Sequence, residues 1–325
     1  LDAGLTPNQI EKSYCISKRI SAEEEAIKVA SMIVTSTKQE SVYQYSTYKS
    51  FESKKAKVIF PGVDYDKFHH IHSTTETSDI DNMMNPFLID SFKPPLLAIS
   101  RAVRRKNVPS LVEAFGRSEK LKKSNNLILV LGCRDNLSKM DSQQKDVFQQ
   151  IFEIIDKYNL YGKVAYPKKH TPDQIPSIYR WAASRRGIFV NPALTEPFGL
   201  TLLEAASCGL PMVATDDGGP QEINLKCDNG LLADVTDINR FKLTLEKAIS
   251  SKNQWRLWSR NGIEAVSRHF SWSNHVRNYL FNICQHNQKL NLLSSSGIKL
   301  SCLNGSSSLI KPHSSKTSGS EWIIS

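Results

Sequence analysis

Several features that mark other protein classes are missing from this 325-residue chain. No apolar run of roughly eighteen residues occurs, so the sequence predicts no membrane-spanning helix and no membrane partner. The six cysteines are scattered, without a CxxC pair or a regular spacing. This scatter argues against a disulfide framework or a zinc site, and we expect no bound metal. It favours buried or idle thiols in a reducing, cytoplasmic compartment.

The amino terminus lacks two features of a complete chain. It has no signal-peptide pattern, and it begins with leucine rather than methionine. The opening stretch, LDAGLTPNQIEKSY, is typical of a loop inside a longer protein. We therefore expect a fragment or a truncated gene product.

The charge is strongly positive but is not arranged as in a nucleic-acid-binding protein. The chain carries 42 Lys and Arg against 32 Asp and Glu, a net charge of +10, which suits an anionic ligand. A basic stripe with interleaved aromatic residues is absent, so no nucleic-acid partner is expected. The densest basic runs, at 101–106 and 168–170, follow predicted strands. This position favours small phosphorylated ligands.

The first ninety residues predict too few elements for a domain of their own. Residues 17–39 read as one helix running into the apolar strand SMIVTS, and a second strand, AKVIFPG, covers 56–62. We interpret residues 1–68 as the remnant of an N-terminal domain whose beginning is absent. Residues 69–94 are polar and without periodicity, which predicts a loop or linker.

From residue 95 onward, buried-type strands alternate with helices. The strands are PLLAIS, LILVLGC, VAYP, GIFVNPA and PMVAT. This alternation predicts an α/β fold, a doubly wound parallel sheet of the Rossmann type, over residues 95–270. A C-terminal helix is expected at 271–290, followed by a Ser-rich disordered tail at 291–325.

Two carboxylates, Glu196 and Glu204, lie in the apolar stretch TEPFGLTLLEAASCGLPMVAT, just after a strand of the predicted sheet. Ligands bind such sheets beyond the carboxyl ends of the strands, and the next helix begins at about Gly199. A pyrophosphate would suit the free amides at this helix start: Phe198, Gly199, Leu200 and Thr201. Glu204 would then accept hydrogen bonds from the hydroxyls of a ribose, and Glu196 would accept them from the hydroxyls of a sugar. The simpler alternative is that the Glu204 carboxylate is only electrostatically favourable near the helix N-terminus and that Glu196 is exposed to solvent.

The longer stretch NPALTEPFGLTLLEAASCGLPMVATDDGGPQEI, with DNGLL after it, resembles the nucleotide-sugar half of retaining glycosyltransferases of the B-type two-domain fold. Within that group, KYNLYGKVAYPKKH and DDGGPQEI are similar to the sucrose-phosphate synthase family. The resemblance covers roughly residues 14–283. It implies a nucleotide-sugar domain at 95–270, preceded by the remnant of a first Rossmann-like domain.

The resemblance also implies an activity: transfer of glucose from UDP-glucose to fructose 6-phosphate with retention, giving sucrose 6-phosphate. No cofactor is implied beyond the donor substrate. Arg101 and Lys106 match the basic pair that neutralises the donor pyrophosphate, although a solvated basic loop is the alternative. Glu196, with the 198–201 backbone, matches the site for the glucosyl group, where it positions the sugar rather than attacking it. Glu204 matches the ribose ligand.

Other positions match the family less distinctively. Lys169 and Ile175 fall where the family lines the uracil pocket, but a loop preceding a helix accounts for them equally well. Arg19 matches a basic cluster that meets the acceptor's phosphate, or else is surface charge on an amphipathic helix. The segment Gly218-Gly219-Pro220 predicts a turn packed closely against the cleft.

Two departures from the family leave alternatives open. Val103 stands where the family has an acid, and the glycine-rich acceptor loop and histidine of the first domain are absent. We therefore expect the chain alone to be a poor or inactive synthase. The alternatives are a related transferase with another donor, such as GDP-mannose, or another acceptor, and a non-catalytic nucleotide-sugar-binding fragment.

Overall fold

The computed structural model describes residues 6–70 and 78–289. The chain divides into two compact units, Leu1–Ile283 and Cys284–Ser325, and the second is described only over Cys284–Lys289. The tail predicted at 291–325, with Cys302, lies outside the described residues. Of the other cysteines, Cys208 and Cys227 are buried, and all five are free.

Within residues 6–70 and 78–289, eight strands form two parallel sheets. The strands are β1 Ile33–Thr35, β2 Ala56–Val58, β3 Pro95–Ile99, β4 Asn126–Val130, β5 Val164–Ala165, β6 Ile188–Asn191, β7 Met212–Thr215 and β8 Gly230–Ala233. The large sheet has the order β5-β4-β3-β6-β7-β8, and β1 pairs with β2 in a separate sheet. The chain runs outward from β3 to β5 and then returns to the other side of β3. The carboxyl ends of β3 and β6 therefore flank the point where the strand order reverses, which is where ligands bind in such sheets.

The part of the chain that the structure describes also contains twelve α-helices. They are α1 Pro7–Tyr14, α2 Ile16–Val29, α3 Ser78–Met84, α4 Val108–Gly116, α5 Glu119–Ser124, α6 Ser142–Lys157, α7 Gln174–Ser184, α8 Leu200–Ser207, α9 Gly219–Cys227, α10 Ile238–Ala248, α11 Lys252–His269 and α12 Trp272–Lys289. Short 3-10 turns and one π-helical turn complete the described part of the chain.

Helices cover both faces of the large sheet, as the continuous apolar strands predict. Along β3, Leu96 and Ala98 pack into a core shared with α4, α6 and α10. Leu97, between them, points to the opposite core, which α7, α8, α9 and α11 close. The doubly wound parallel architecture is confirmed.

The helix predicted at 17–39 corresponds to α2, which is shorter. A single helix over 17–39 is wrong, because α2 ends at Val29 and Ala30 adopts an extended backbone with φ −61° and ψ 131°. The strand expected in SMIVTS is present as β1, and its parallel partner β2 occupies the start of AKVIFPG. Of α2, only Ile27 is buried.

The prediction that residues 69–94 form a loop is wrong over Ser78–Met84, which form the helix α3. Ile80 and Met84 of α3 are buried in the core beside α7. Asp81 accepts a hydrogen bond from Trp181 Nε1 at 2.9 Å and pairs with Arg185 at 2.6 Å. This segment is therefore packed against the domain that contains the large sheet.

Two segments at the ends of that domain also meet. The amide of Val63 donates to the carbonyl of Phe270 at 2.8 Å, and Val63 forms a parallel bridge with Ser271. The Phe60 ring lies 5.2 Å from Phe270 and 6.2 Å from Phe198, measured between ring centroids. The chain before the large sheet thus packs on the chain after it.

Candidate functional site

The side chain of Glu196 lies in the loop after β6 and is almost fully buried, with 9% of its surface exposed. One of its oxygens, Oε2, accepts hydrogen bonds from Lys106 Nζ at 2.5 Å and Asn191 Nδ2 at 3.0 Å. Lys106 comes from the loop after β3, so the ion pair joins the two strands at the reversal point. A buried carboxylate needs such compensation. The alternative that Glu196 is solvated is therefore wrong.

The backbone of Glu196 is held as firmly as its side chain. Its amide donates to the carbonyl of Asp217 at 3.2 Å, and its carbonyl accepts the amide of Gly219 at 2.9 Å. Between these residues, Gly218 has a φ of 105°, and a Cβ there would overlap the Glu196 carbonyl. Gly218 thus packs tightly against the loop that carries Glu196. The turn predicted at Gly218-Gly219-Pro220 is wrong for Gly219 and Pro220, which begin α9.

The amino end of α8 follows directly. Gly199 precedes it with a φ of 104°, and the amide of Leu202 returns to the Gly199 carbonyl at 2.9 Å. The amides of Leu200 and Thr201 belong to the first turn, which leaves them without acceptors inside the helix. Phe198 is buried, with its ring in the core. The helix therefore offers main-chain donors beside Glu196.

Glu204 lies one turn further along α8 and is half-buried. Its Oε2 accepts a hydrogen bond of 3.3 Å from the hydroxyl of the fully buried Tyr179. Burial raises the pKa of the Glu204 carboxyl, and the hydrogen bond from Tyr179 opposes that rise. Glu204 has no cationic partner among the described residues, in contrast to Glu196.

The two predicted basic residues differ in their surroundings. Lys106 is mostly buried, with 17% of its side chain exposed, and is committed to Glu196. Arg101, in the loop after β3, is exposed and makes no ion pair with any residue that the structure describes. Its guanidinium is therefore free to meet a ligand from solvent.

A cleft of about 550 Å³ opens at the carboxyl ends of β4 and β5. Lys169 lies on its wall and pairs with Asp135 at 2.7 Å, with both side chains more than two-thirds exposed. Ile175 is not on the wall; it packs instead against the core that contains α7. The lining residues are Met83, Cys133, Arg134, Asp135, Lys169, His170, Thr171 and Gln174.

Arg134, which the sequence did not single out, is the buried cation of this cleft. Its guanidinium donates to the carbonyls of Tyr166 at 2.8 Å and Pro167 at 3.1 Å, and lies 4.5 Å from the centre of the Phe148 ring. Burial lowers the pKa of Arg134. No carboxylate pairs with it among the described residues. The guanidinium thus connects the segment directly after β5 to the helix α6.

Arg19 lies apart from these residues. It is on the exposed surface of α2, and no described contact joins it to the other predicted site residues. Its assignment to an acceptor phosphate stays a prediction.

Within residues 6–70 and 78–289, no group of three or more His, Cys, Asp or Glu side chains is placed to hold a metal ion. No helix in the same ranges has both the length and the apolarity needed to cross a membrane.

The fold and the site together define a class. A parallel doubly wound domain with an acid and a basic residue beyond the strand ends, at the reversal point, is typical of a ligand-binding α/β protein. The profile of "Glycosyl transferases group 1" matches residues 79–265, more than half of the chain, and the chain belongs to this family.

Within the family, the chain is similar to sucrose-phosphate synthases. It is 37% identical over 318 residues to sucrose-phosphate synthase 4 of Arabidopsis thaliana, covering 86% of this chain and 30% of that protein. It is 36% identical over 315 residues to the Zea mays sucrose-phosphate synthase, covering 85% and 29%. The chain thus spans less than a third of the length of these relatives.

Solved structures agree on the fold. Sucrose-phosphate synthase from Thermosynechococcus elongatus superposes with a TM-score of 0.67 at 21% identity, covering 86% of this chain and 63% of that one. HepE from Anabaena, in complex with UDP, gives 0.67 at 18% identity, covering 88% and 70%. Both likenesses support the α/β fold with a parallel sheet expected from the sequence.

Proposed function

We propose that this chain supplies the donor site for transfer of glucose from UDP-glucose to fructose 6-phosphate with retention, which yields sucrose 6-phosphate. The observation that carries the proposal is the buried Lys106–Glu196 pair beside the open N-terminus of α8. Such a site offers a carboxylate for sugar hydroxyls and cationic and main-chain donors for a pyrophosphate. The similarity to sucrose-phosphate synthases supports the choice of donor and acceptor.

The pyrophosphate would lie between Arg101 and the amides of Leu200 and Thr201. Negative charge grows on the departing UDP as the bond to the glucosyl carbon breaks. Donors that already point at that position stabilise the charge without having to reorganise. Arg101 is exposed and unpaired among the described residues, so it can close onto the phosphate when the donor arrives.

Glu196 would hold the glucosyl group. Lys106 and Asn191 donate hydrogen bonds to Oε2 of Glu196, so the other carboxylate oxygen of Glu196 is available to accept hydrogen bonds from sugar hydroxyls. In the mechanism that the resemblance to retaining glycosyltransferases implies, the departing phosphate takes the acceptor's proton, and Glu196 acts as a positioning group.

The nucleoside would extend from Glu204 toward the cleft at Lys169. A half-buried carboxylate that lacks a cationic partner suits the two ribose hydroxyls, which donate hydrogen bonds to it. The base would then enter the cleft of about 550 Å³ at the ends of β4 and β5. HepE, a protein of the same fold, has been solved with UDP-glucose, which is the donor proposed for this chain.

The test has two arms on the purified chain. Calorimetry with UDP, UDP-glucose and GDP-mannose should show binding of the two uridine nucleotides and weaker binding of GDP-mannose. Incubation of radiolabelled UDP-glucose with fructose 6-phosphate then tests for labelled sucrose 6-phosphate. Absence of UDP binding would contradict the donor site, and tighter binding of GDP-mannose would reassign the donor.

A further inference from the structure

Asp217 lies where three loops of the molecule meet. Its Oδ2 accepts a hydrogen bond from the hydroxyl of Thr195 at 2.5 Å, and its Oδ1 accepts one from Gln39 Nε2 at 2.8 Å. Thr195 belongs to the loop after β6, and Gln39 to the segment after β1. Asp217 itself follows β7, and its amide donates to Thr215 Oγ1 at 3.2 Å.

On one side, Asp217 fixes the residues that carry the sugar-binding carboxylate. Its carboxylate holds Thr195, and its main-chain carbonyl accepts the amide of Glu196. Two consecutive residues of the β6 loop are therefore attached to Asp217. The hydrogen bond from Thr195 goes to the Asp217 carboxylate, and bonds to a charged acceptor are stronger than those between neutral groups, so this contact restricts the loop.

On the other side, Asp217 holds a segment from the first part of the chain over the same loop. The amides of Lys38 and Gln39 donate to Glu222 Oε1, at 2.6 Å and 3.4 Å. The hydroxyl of Thr37 points to the carbonyl of Pro197 at 3.4 Å. The segment 36–40 thus touches both Pro197, next to Glu196, and the start of α9.

We propose that Asp217 is a positioning residue for the transferred hexosyl group. It sets the Glu196 loop through Thr195, and it makes the placement of that loop depend on Gln39 and the segment 36–40. This inference rests on the proposed role of Glu196 as the ligand of the donor sugar. It makes Asp217 the connection through which a substitution in the segment 36–40 weakens binding of the hexosyl group without weakening binding of the nucleotide.

The role predicts a difference between two ligands. UDP lacks the hexosyl group and does not use Glu196, so its binding should not depend on Asp217. UDP-glucose uses Glu196 and should lose affinity when the loop is released. A residue that only supported the fold would change both affinities together, and the difference between UDP and UDP-glucose separates these cases.

The experiment measures UDP and UDP-glucose affinities by calorimetry for Asp217→Ala, Asp217→Asn and the matched control Asp216→Ala. Asp216 is the neighbouring carboxylate and is exposed. Loss of a charged hydrogen-bond acceptor is expected to weaken UDP-glucose binding about tenfold in Asp217→Ala, with UDP within about twofold of the wild type. Asp217→Asn keeps one acceptor oxygen and should recover part of the loss.

A second pair of variants tests the link to the segment 36–40. Gln39→Ala should also weaken UDP-glucose selectively, by less than Asp217→Ala, and the double variant should be no weaker than Asp217→Ala alone. Additive losses would overturn the link, because additivity marks independent sites. Melting temperatures identify variants that do not fold; should Asp217→Ala be one, Asp217→Asn decides the selectivity.

The outcomes also separate this inference from the proposed function. If the wild type binds neither ligand, the donor site itself is wrong and the inference is lost with it. If the wild type binds both but Asp217→Ala behaves as Asp216→Ala does, the donor site stands and the positioning role is wrong. Equal loss of UDP and UDP-glucose in Asp217→Ala would likewise overturn the positioning role.

Discussion

The two ends of the candidate site are built differently. At the end near Glu196, the acid is 9% exposed and a largely buried lysine pairs with it. At the end near Lys169, the ion pair with Asp135 is more than two-thirds exposed on both sides and borders an open cleft. We call these the closed end and the open end.

Under the proposed function, this difference would separate the chemistry of transfer from recognition of the base. Groups that stabilise developing charge work best when they are fixed before the substrate arrives, and the closed end meets that condition. The open end offers exposed side chains whose pairing contributes little to stability. Substitutions at the closed end should therefore change both folding and binding, whereas substitutions of the exposed side chains at the open end should change binding alone.

The largest expected contrast is between two glycines with a positive φ, one at each end. Gly218→Ala at the closed end forces a Cβ into the Glu196 carbonyl, whereas Gly132→Ala at the open end, with φ 78°, meets no described atom within 4 Å. Both substitutions incur backbone strain, but only the first adds a clash. Unfolding measurements should show losses of roughly 3–5 kcal/mol for Gly218→Ala and about 1–2 kcal/mol for Gly132→Ala. Equal losses would remove the distinction between the two ends.

Next in size is the removal of the cations near the pyrophosphate. Lys106→Ala and Arg101→Ala should each weaken UDP binding by about 1–3 kcal/mol, as for a lost charge-assisted hydrogen bond. Only Lys106→Ala should also lower the free energy of unfolding, because it leaves the Glu196 carboxylate buried without its cation. Calorimetry and chemical denaturation test the pair, with the exposed Lys139→Ala as the control. Unchanged UDP affinity in both variants would disprove the phosphate role.

The two glutamates should separate by ligand. Glu204→Gln removes a ribose contact and should weaken UDP and UDP-glucose alike, by about 1–2 kcal/mol. Glu196→Gln should weaken UDP-glucose only, because UDP has no glucosyl group. Parallel titrations of both variants with both ligands measure this. The same response of the two variants to UDP would contradict the assigned roles.

A smaller effect should appear in the pH dependence of stability. Because the pKa of Glu204 is raised in the folded chain, the folded state holds this proton to a higher pH than the unfolded state. Its contribution to stability is thus present below the unfolded pKa and lost as the pH rises through the folded pKa. Glu204→Gln should therefore be more stable relative to the wild type at pH 8 than at pH 4. Melting temperatures of the wild type and Glu204→Gln, compared between pH 4 and pH 8, measure this trend.

The smallest effect is expected at the open end. Lys169→Ala breaks an ion pair exposed on both sides, so the free energy of unfolding should change by less than about 1 kcal/mol. If Lys169 contributes to the base pocket, UDP affinity falls while stability stays constant. A large loss of stability would show that the open end is as tightly built as the closed one.

The sequence predicts the large sheet well because buried parallel strands are continuous apolar runs, which β3, β4, β6 and β7 are. It predicts less where an element is short or polar. In α3, only Ile80 and Met84 are buried, too few for a helical pattern. The strand β8 has just four residues and begins with a glycine. Both elements owe their conformation to neighbours distant in sequence, and a local pattern does not record those neighbours.

The same limit applies to the site. The rule that ligands meet the carboxyl ends of strands selects Glu196, Arg101 and Lys106, but it does not tell which of them contact each other. Lys106 and Glu196 are 90 residues apart, and their pairing follows from the strand order. Asp217 directly follows the end of β7 and the same rule would have selected it, but its contact with Gln39 spans 178 residues. Such contacts are properties of the topology.

The pairing of Val63 with Phe270 and Ser271 has a consequence for folding during synthesis. The contact between His275 and the Phe60 carbonyl closes a loop of 215 residues. Closing so long a loop adds little to the entropy cost, since each doubling of length adds about 0.6 kcal/mol. The length of the loop does delay formation of this contact, because chains rich in contacts between distant residues fold slowly. On the ribosome, Phe60 must therefore wait for nearly the whole domain that contains the large sheet to be translated before its aromatic partner Phe270 exists.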